Sequence, residues 1–202
     1  MTTSRPLALA ALALMTTMTM AACSSSNGTP AEDPTTSSSA SASPTVEPSA
    51  PTVPSDWQTV ALREVAELSV PSDWTVKSLN ASQHTLHAPL DAAGLPPATG
   101  IASAGSLAGG DPKKEFESSA KWSMENDYSG YSNLKRLPNE VINGTTFYRL
   151  QFESEATWFD VYGTVTPDAE YHILIEWRAD KIIDRKEAEA IWSPVMPTFE
   201  ML

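Results

Sequence analysis

Read for hydrophobic and polar positions, the chain separates into an apolar run, a polar stretch and a long patterned region. Residues 7–15 are almost wholly apolar, and residues 24–54 carry only Val46 and Val53 as large apolar side chains. From Trp57 onward the pattern alternates. Trp57 to Glu64 and Ala66 to Val70 predict two short strands, followed by a turn at Pro71-Ser72-Asp73-Trp74 and more strand at Thr75 to Ser78. Gln83 to Ala88 predicts another strand and Pro89 to Pro97 a loop. Thr99 to Leu107 is small-residue strand material ended by Gly109-Gly110.

A period of four then replaces the period of two. Asp111 is placed to cap a helix, Pro112 stands at its first position, and Glu115 follows in the first turn. Phe116, Ala120, Met124 and Tyr128 form one apolar stripe that leaves Trp122 off it, and Ser129-Gly130 stops the helix. Val141-Ile142 leads into Asn143-Gly144, a hairpin turn dipeptide. Three strands are expected next: Thr145 to Glu153, Thr157 to Val165, and Glu170 to Arg178. Their apolar faces are read as Tyr148, Leu150 and Phe152; Phe159, Val161 and Val165; and Tyr171, Ile173, Ile175 and Trp177. A last helix starts at Asp184, with Glu187 completing a capping box. Its apolar positions are Ala188, Ile191, Trp192 and Val195, Pro194 ends it near Ser193, and Pro197-Thr198-Phe199 should pack back on the sheet. The fold class expected is α+β, an antiparallel sheet with packed helices.

Three stretches of the patterned region resemble PsbP-like domains, including the DcrB-like and LpqN-type bacterial lipoproteins. They are Leu68-Ser69-Val70-Pro71-Ser72-Asp73-Trp74-Thr75-Val76, the hairpin Val141-Ile142-Asn143-Gly144 with Tyr148-Arg149-Leu150, and the closing Pro197-Thr198-Phe199. The match spans most of residues 57–199. It implies an α/β/α sandwich whose relatives mostly bind or assist other proteins, and it brings no shared catalytic set.

The apolar run changes the picture of where the domain resides. Arg5 precedes it without any acid, and it is too short for the about 20 residues that span a bilayer. Met20-Ala21-Ala22-Cys23 resembles the lipobox of a bacterial lipoprotein signal, with Met20 where Leu is usual. The resemblance implies cleavage before Cys23, a diacylglyceryl group on its sulfur and acylation of the freed amine. Two or more chains anchor stably where one does not. Cys23 is the only cysteine, so a disulfide within the chain is excluded. The expected domains are a signal peptide over 1–22, a lipidated Cys23 with a Ser/Thr/Pro tether over 23–54, and the α+β domain over 55–202. The tether cannot bury enough apolar surface to offset its ordering entropy, and a flexible coil of that length reaches roughly 30 Å. Its composition is also that of O-glycosylated stalks. The expected location is the extracytoplasmic side of a cell membrane.

Charge narrows the partners. All Trp, Tyr and Phe residues lie in the domain. Three of the 25 acids (Glu32, Asp33, Glu47) belong to the tether, and Arg5 of the 13 bases to the leader, so the domain's formal charge is −10. That argues against nucleic acid and against lying flat on an anionic membrane. Beyond 1–22 there is no apolar span long enough to cross a membrane.

Candidate chemistry is sparse. His84 and His87, at i and i+3 on a strand, point to opposite faces and would not share a metal ion. Ser103 lacks the G-x-S-x-G spacing, and Gly105 to Gly110 lacks the Lys-Ser/Thr of a phosphate loop. No catalytic residue, metal ligand or cofactor is expected. One constellation stands out, on the face opposite the apolar sets: Phe147, Arg149, Gln151; Trp158, Asp160, Tyr162; His172, Leu174, Glu176, Arg178. Arg149, Trp158, Asp160, Tyr162, His172 and Arg178 are the candidate binding residues. In a three-layer sandwich the same face is covered and these residues become core or internal ion pairs. The expected function is a non-enzymatic accessory domain binding an envelope protein. The alternatives are a carrier of an apolar small ligand and, last, an envelope hydrolase. An exposed Arg149, Trp158 and Tyr162 cluster would favour the first, a closed apolar pocket the second, and a tight His/Asp/Ser or paired-carboxylate cleft the third.

Overall fold

The computed structural model describes residues 53–202; the expected signal, Cys23 and nearly all of the expected tether lie outside them. Ten strands and two α-helices follow: β1 (Gln58–Leu62), β2 (Ala66–Val70), β3 (Thr75–Asn80), β4 (Gln83–His87), β5 (Ala98–Ser106), α1 (Pro112–Trp122), β6 (Ser132–Ile142), β7 (Thr145–Glu153), β8 (Thr157–Val165), β9 (Tyr171–Asp180), α2 (Arg185–Trp192) and β10 (Glu200–Met201). The domain is α+β, with every strand pairing antiparallel. A seven-stranded sheet runs β3-β4-β5-β9-β8-β7-β6, and β1-β2-β10 form a separate three-stranded sheet.

The local signals act as expected. The Asp111 carboxylate accepts from Lys114 N at the start of α1, and Asp184 and Glu187 make a reciprocal capping box on α2. Asn143 and Gly144 both take positive φ, 46° and 79°, as the two-residue turn between β6 and β7 requires.

Three layers result. On one face of the large sheet, Ile173, Ile175 and Trp177 share a core with Leu62, Leu68 and Val70 of the small sheet and with Ala188 and Trp192 of α2. Trp177 stacks parallel on Trp192 at 6.1 Å between ring centroids and meets Trp74 edge-on at 5.9 Å. On the other face, Tyr148, Leu150, Phe152 and Val161 pack against Phe116, Ala120, Met124 and Tyr128, the predicted stripe. The C-terminal segment packs back, with Phe199 buried edge-on to Phe147.

Two features correct the sequence reading. Residues 132–140 form most of β6, an edge strand the hydrophobic pattern does not announce. Its side chains are largely exposed, its register shifts between Ser132 and Lys135 and again across Pro138, and edge strands tolerate a residue that cannot donate. The second correction is parity. Leu150 opposes Val161, which opposes Glu176, while Asp160 opposes Trp177. Ile173, Ile175 and Trp177 therefore lie on the face of Arg149 and Asp160, and His172 and Arg178 on the other. The loop Thr166–Glu170, with Ala169 at φ 58°, delivers β9 so that His172 stands opposite Val165. A one-residue difference there exchanges every side chain of the strand.

Candidate functional site

Arg149, Trp158, Asp160 and Tyr162 are brought together, but inside the molecule. The Arg149 guanidinium donates to Asp160 Oδ2 at 2.9 Å and Glu140 Oε2 at 2.8 Å, and lies 4.6 Å from the centroid of the Tyr162 ring. Burial works against the Arg149 charge, yet Asp160, Tyr162 and Glu140 hold its pKa above the ordinary value. Asp160 is 1% exposed; burial pushes its pKa up to about 6, with Arg149 offsetting part of the rise. Asp160 Oδ1 and Arg149 Nε are buried without a hydrogen-bond partner. Trp158 donates from Nε1 to the Ile183 carbonyl at 3.1 Å, and the Lys181 ammonium sits 4.2 Å from its ring centroid. These residues form an internal ion-pair and aromatic network beneath α2. Asp160 and Tyr162 are too deeply buried to meet a partner.

His172 and Arg178 stand on the α1 side. Arg178 pairs with Glu176, whose other oxygen accepts from the Tyr128 hydroxyl at 2.7 Å. His172 Nε2 lies 2.8 Å from Tyr148 Oη, which lies 3.4 Å from Ser123 Oγ. Two sequence details build this row. Gly163 opposes Tyr148, and a Cβ there would sit inside the van der Waals radius of the phenol ring; its absence lets the ring cross β8 toward His172. After Trp122 the helix widens into a π turn over Ser123–Asp127, closed by Tyr128 N to Ser123 O at 2.9 Å, which turns Ser123 inward. Burial holds the His172 imidazole below its ordinary pKa and pushes the Tyr148 phenol up to about 12. Ser123 is buried and reaches His172 only through the phenol, so the row is not a nucleophile–base pair.

The other sequence candidates are structural. His84 faces Ala102 and His87 faces Thr99, on opposite sides of the sheet, and Ser103 donates to the Leu174 carbonyl at 3.4 Å. No group of three or more His, Cys, Asp or Glu among the described residues could hold a metal ion.

A larger concavity lies elsewhere, at the end of the large sheet between α1 and the β6–β7 hairpin. This open cleft has a volume of about 580 Å³ and is lined by Phe116, Val165, Pro167 and Met201, with Thr145 and Thr146 on the hairpin side. Asn143 Nδ2 donates to the carbonyls of Pro197 (2.8 Å) and Phe199 (2.9 Å), which ties the C-terminal segment down and brings Met201 to the wall. The lining contains no His, Cys or Ser, and the Thr164 hydroxyl is engaged with the Thr146 carbonyl at 2.8 Å. Sequence reasoning missed this site because its walls come from four distant segments; the Asn143-Gly144 turn was the one visible signal.

No family model and no curated protein matches the chain. Solved structures similar to it include a protein of Bacteroides thetaiotaomicron at 18% identity and TM-score 0.41, over 68% of this chain and 45% of that one. The chain thus spans less than half of that protein's length. Also similar are the Ran-binding protein Mog1p of Saccharomyces cerevisiae (11% identity, TM-score 0.45, 71% of this chain and 94% of that one) and a point mutant of Mog1 (12%, 0.41, 70% and 86%). At these identities and scores the likeness is one of general architecture.

Proposed function

We propose that this chain is a lipid-anchored protein of the cell envelope, PsbP-like in its domain, which binds an apolar segment of a protein partner without transforming it. The observation carrying the reading is the 580 Å³ cleft at the end of the sheet. Its exposed surface is mainly apolar, with Lys113, Glu117 and Asn139 also in the lining, and it offers no nucleophile paired with a base. Its volume is within the usual range for binding sites. An open cleft favours a segment presented by a partner over a small ligand enclosed by a carrier. The anchor rests on the leader and Cys23, whose acyl chains would hold the domain near the membrane while the tether sets its reach.

The two halves of the proposal are tested separately. The wild-type protein is expected to sediment with membranes and Cys23→Ala to leave them; a Cys23→Ala protein that stays with membranes overturns the anchor. A photocrosslinker replacing Thr146, which is exposed at the cleft mouth, is expected to give a defined adduct with an envelope protein. Val165→Glu should abolish that adduct while leaving the melting temperature nearly unchanged. An adduct indifferent to the added charge overturns the cleft as the binding site.

A further inference from the structure

A second hollow, of about 390 Å³, opens on the other side of α1 from the cleft, and its chemistry is different. Its floor is His172. Ser119 and Ser118 of α1 and Asp127 of the π turn form its walls with Glu115. Trp122 stands beside it, 62% exposed, the aromatic residue that falls off the apolar stripe of α1 and takes no part in either core.

The hydrogen-bond row beneath fixes what the floor offers. Ser123 Oγ hydrogen-bonds Tyr148 Oη and Tyr148 Oη hydrogen-bonds His172 Nε2, either group donating in each pair, which engages Nε2 from within. The other ring nitrogen, Nδ1, has no hydrogen-bond partner among the described residues and donates or accepts according to the tautomer. The floor is an uncharged imidazole nitrogen, the walls supply hydroxyls and carboxylates, and the rim is an indole face.

We infer that this hollow binds an uncharged sugar ring. A sugar's hydroxyls, which both donate and accept, bond to His172 Nδ1 and donate to Asp127, while its C–H face packs on Trp122. The two carboxylates, with no Lys or Arg in the lining, disfavour an anionic ligand. The π turn and Gly163 are the features that build the site, since one turns Ser123 inward and the other lets Tyr148 reach His172.

The inference goes beyond the cleft-based function and is tested apart from it. Full-length protein in a detergent without sugar headgroups is titrated with maltotriose, cellotriose and chitotriose, following tryptophan fluorescence. Saturable binding of at least one is expected. Trp122→Ala should weaken it about tenfold or more, and Trp122→Phe less. His172→Ala should weaken it as well. Absence of saturable binding by all three overturns the inference. So does an affinity unchanged in Trp122→Ala, or tighter binding of spermidine or a glucuronate oligomer than of any neutral sugar.

Discussion

On the face of the large sheet that meets α2, the sequence has placed a salt bridge between the aromatic rings. Arg149, Asp160 and Tyr162 are locked to one another, and Trp177 stacks on Trp192 a strand away. On the face that meets α1, the central strands are mainly aromatic and aliphatic, and the polar row Ser123–Tyr148–His172 lies at the margin, where it floors a hollow. The first face encloses its charged groups against one another, with Asp160 Oδ1 and Arg149 Nε left unpartnered in the interior among the described residues, and the second presents a nitrogen to a concavity. Charged and aromatic residues on alternate positions of a strand thus describe two situations equally well. Burial distinguishes them: Asp160 and Tyr162 are sealed, whereas His172 reaches the surface of a concavity.

The comparison can be broken most forcefully at Arg149. Arg149→Ala leaves Asp160 buried without its cation, and removing one member of a buried pair costs about 3–5 kcal/mol. Urea denaturation should show a loss at or below the lower end of that range, because Glu140 and the guanidinium keep some access to water. A loss below about 0.5 kcal/mol would mean the network is no more than a solvated surface pair.

A smaller effect sharpens the contrast between the faces. Gly100 admits Trp177 on the α2 side as Gly163 admits Tyr148 on the α1 side. Alanine at either position overpacks a buried ring, at about 1–3 kcal/mol in thermal or urea melts. Only Gly163→Ala should also displace the phenol from His172 and weaken neutral-sugar binding; Gly100→Ala should leave that binding as it is.

The smallest effect is on pH. The native pKa of Asp160 lies above its unfolded value, so its favourable contribution is complete below about 3.8 and is lost as pH rises through about 6. Between pH 7 and pH 5 this group should add about 1 kcal/mol to stability, and Asp160→Asn should remove that increment. The groups facing it are Arg149, Glu189 and Arg185, so the comparison is best made as mutant minus wild type at each pH. An identical pH dependence in both proteins would show that Asp160 is ionised throughout.

Much of the fold was legible because its signals are local. A capping box, a Pro at the first position of a helix, an Asn-Gly turn and a four-residue stripe each act through neighbours within one turn of chain, and all of them appear as read. The candidate site was less legible. Four of the six proposed residues, Arg149, Trp158, Asp160 and Tyr162, do share a face, since β7 and β8 are joined by a short turn that preserves their parity. His172 and Arg178 do not, because the loop before β9 sets the register and no residue in it announces which of two parities results.

By itself the sequence determined most of the elements, the α+β class and the antiparallel meander, because caps, turns and periodicity are properties of short segments. Tertiary structure alone decided that 132–140 belongs to an edge strand, that β1, β2 and β10 leave the main sheet, and which residues of β9 face which helix. The reason is physical. Both faces of this sheet are covered, so hydrophobic alternation no longer marks inside from outside, and parity is settled only when all layers close together. The cleft and the hollow belong to the same class of outcome, each assembled from segments that meet only when the layers do.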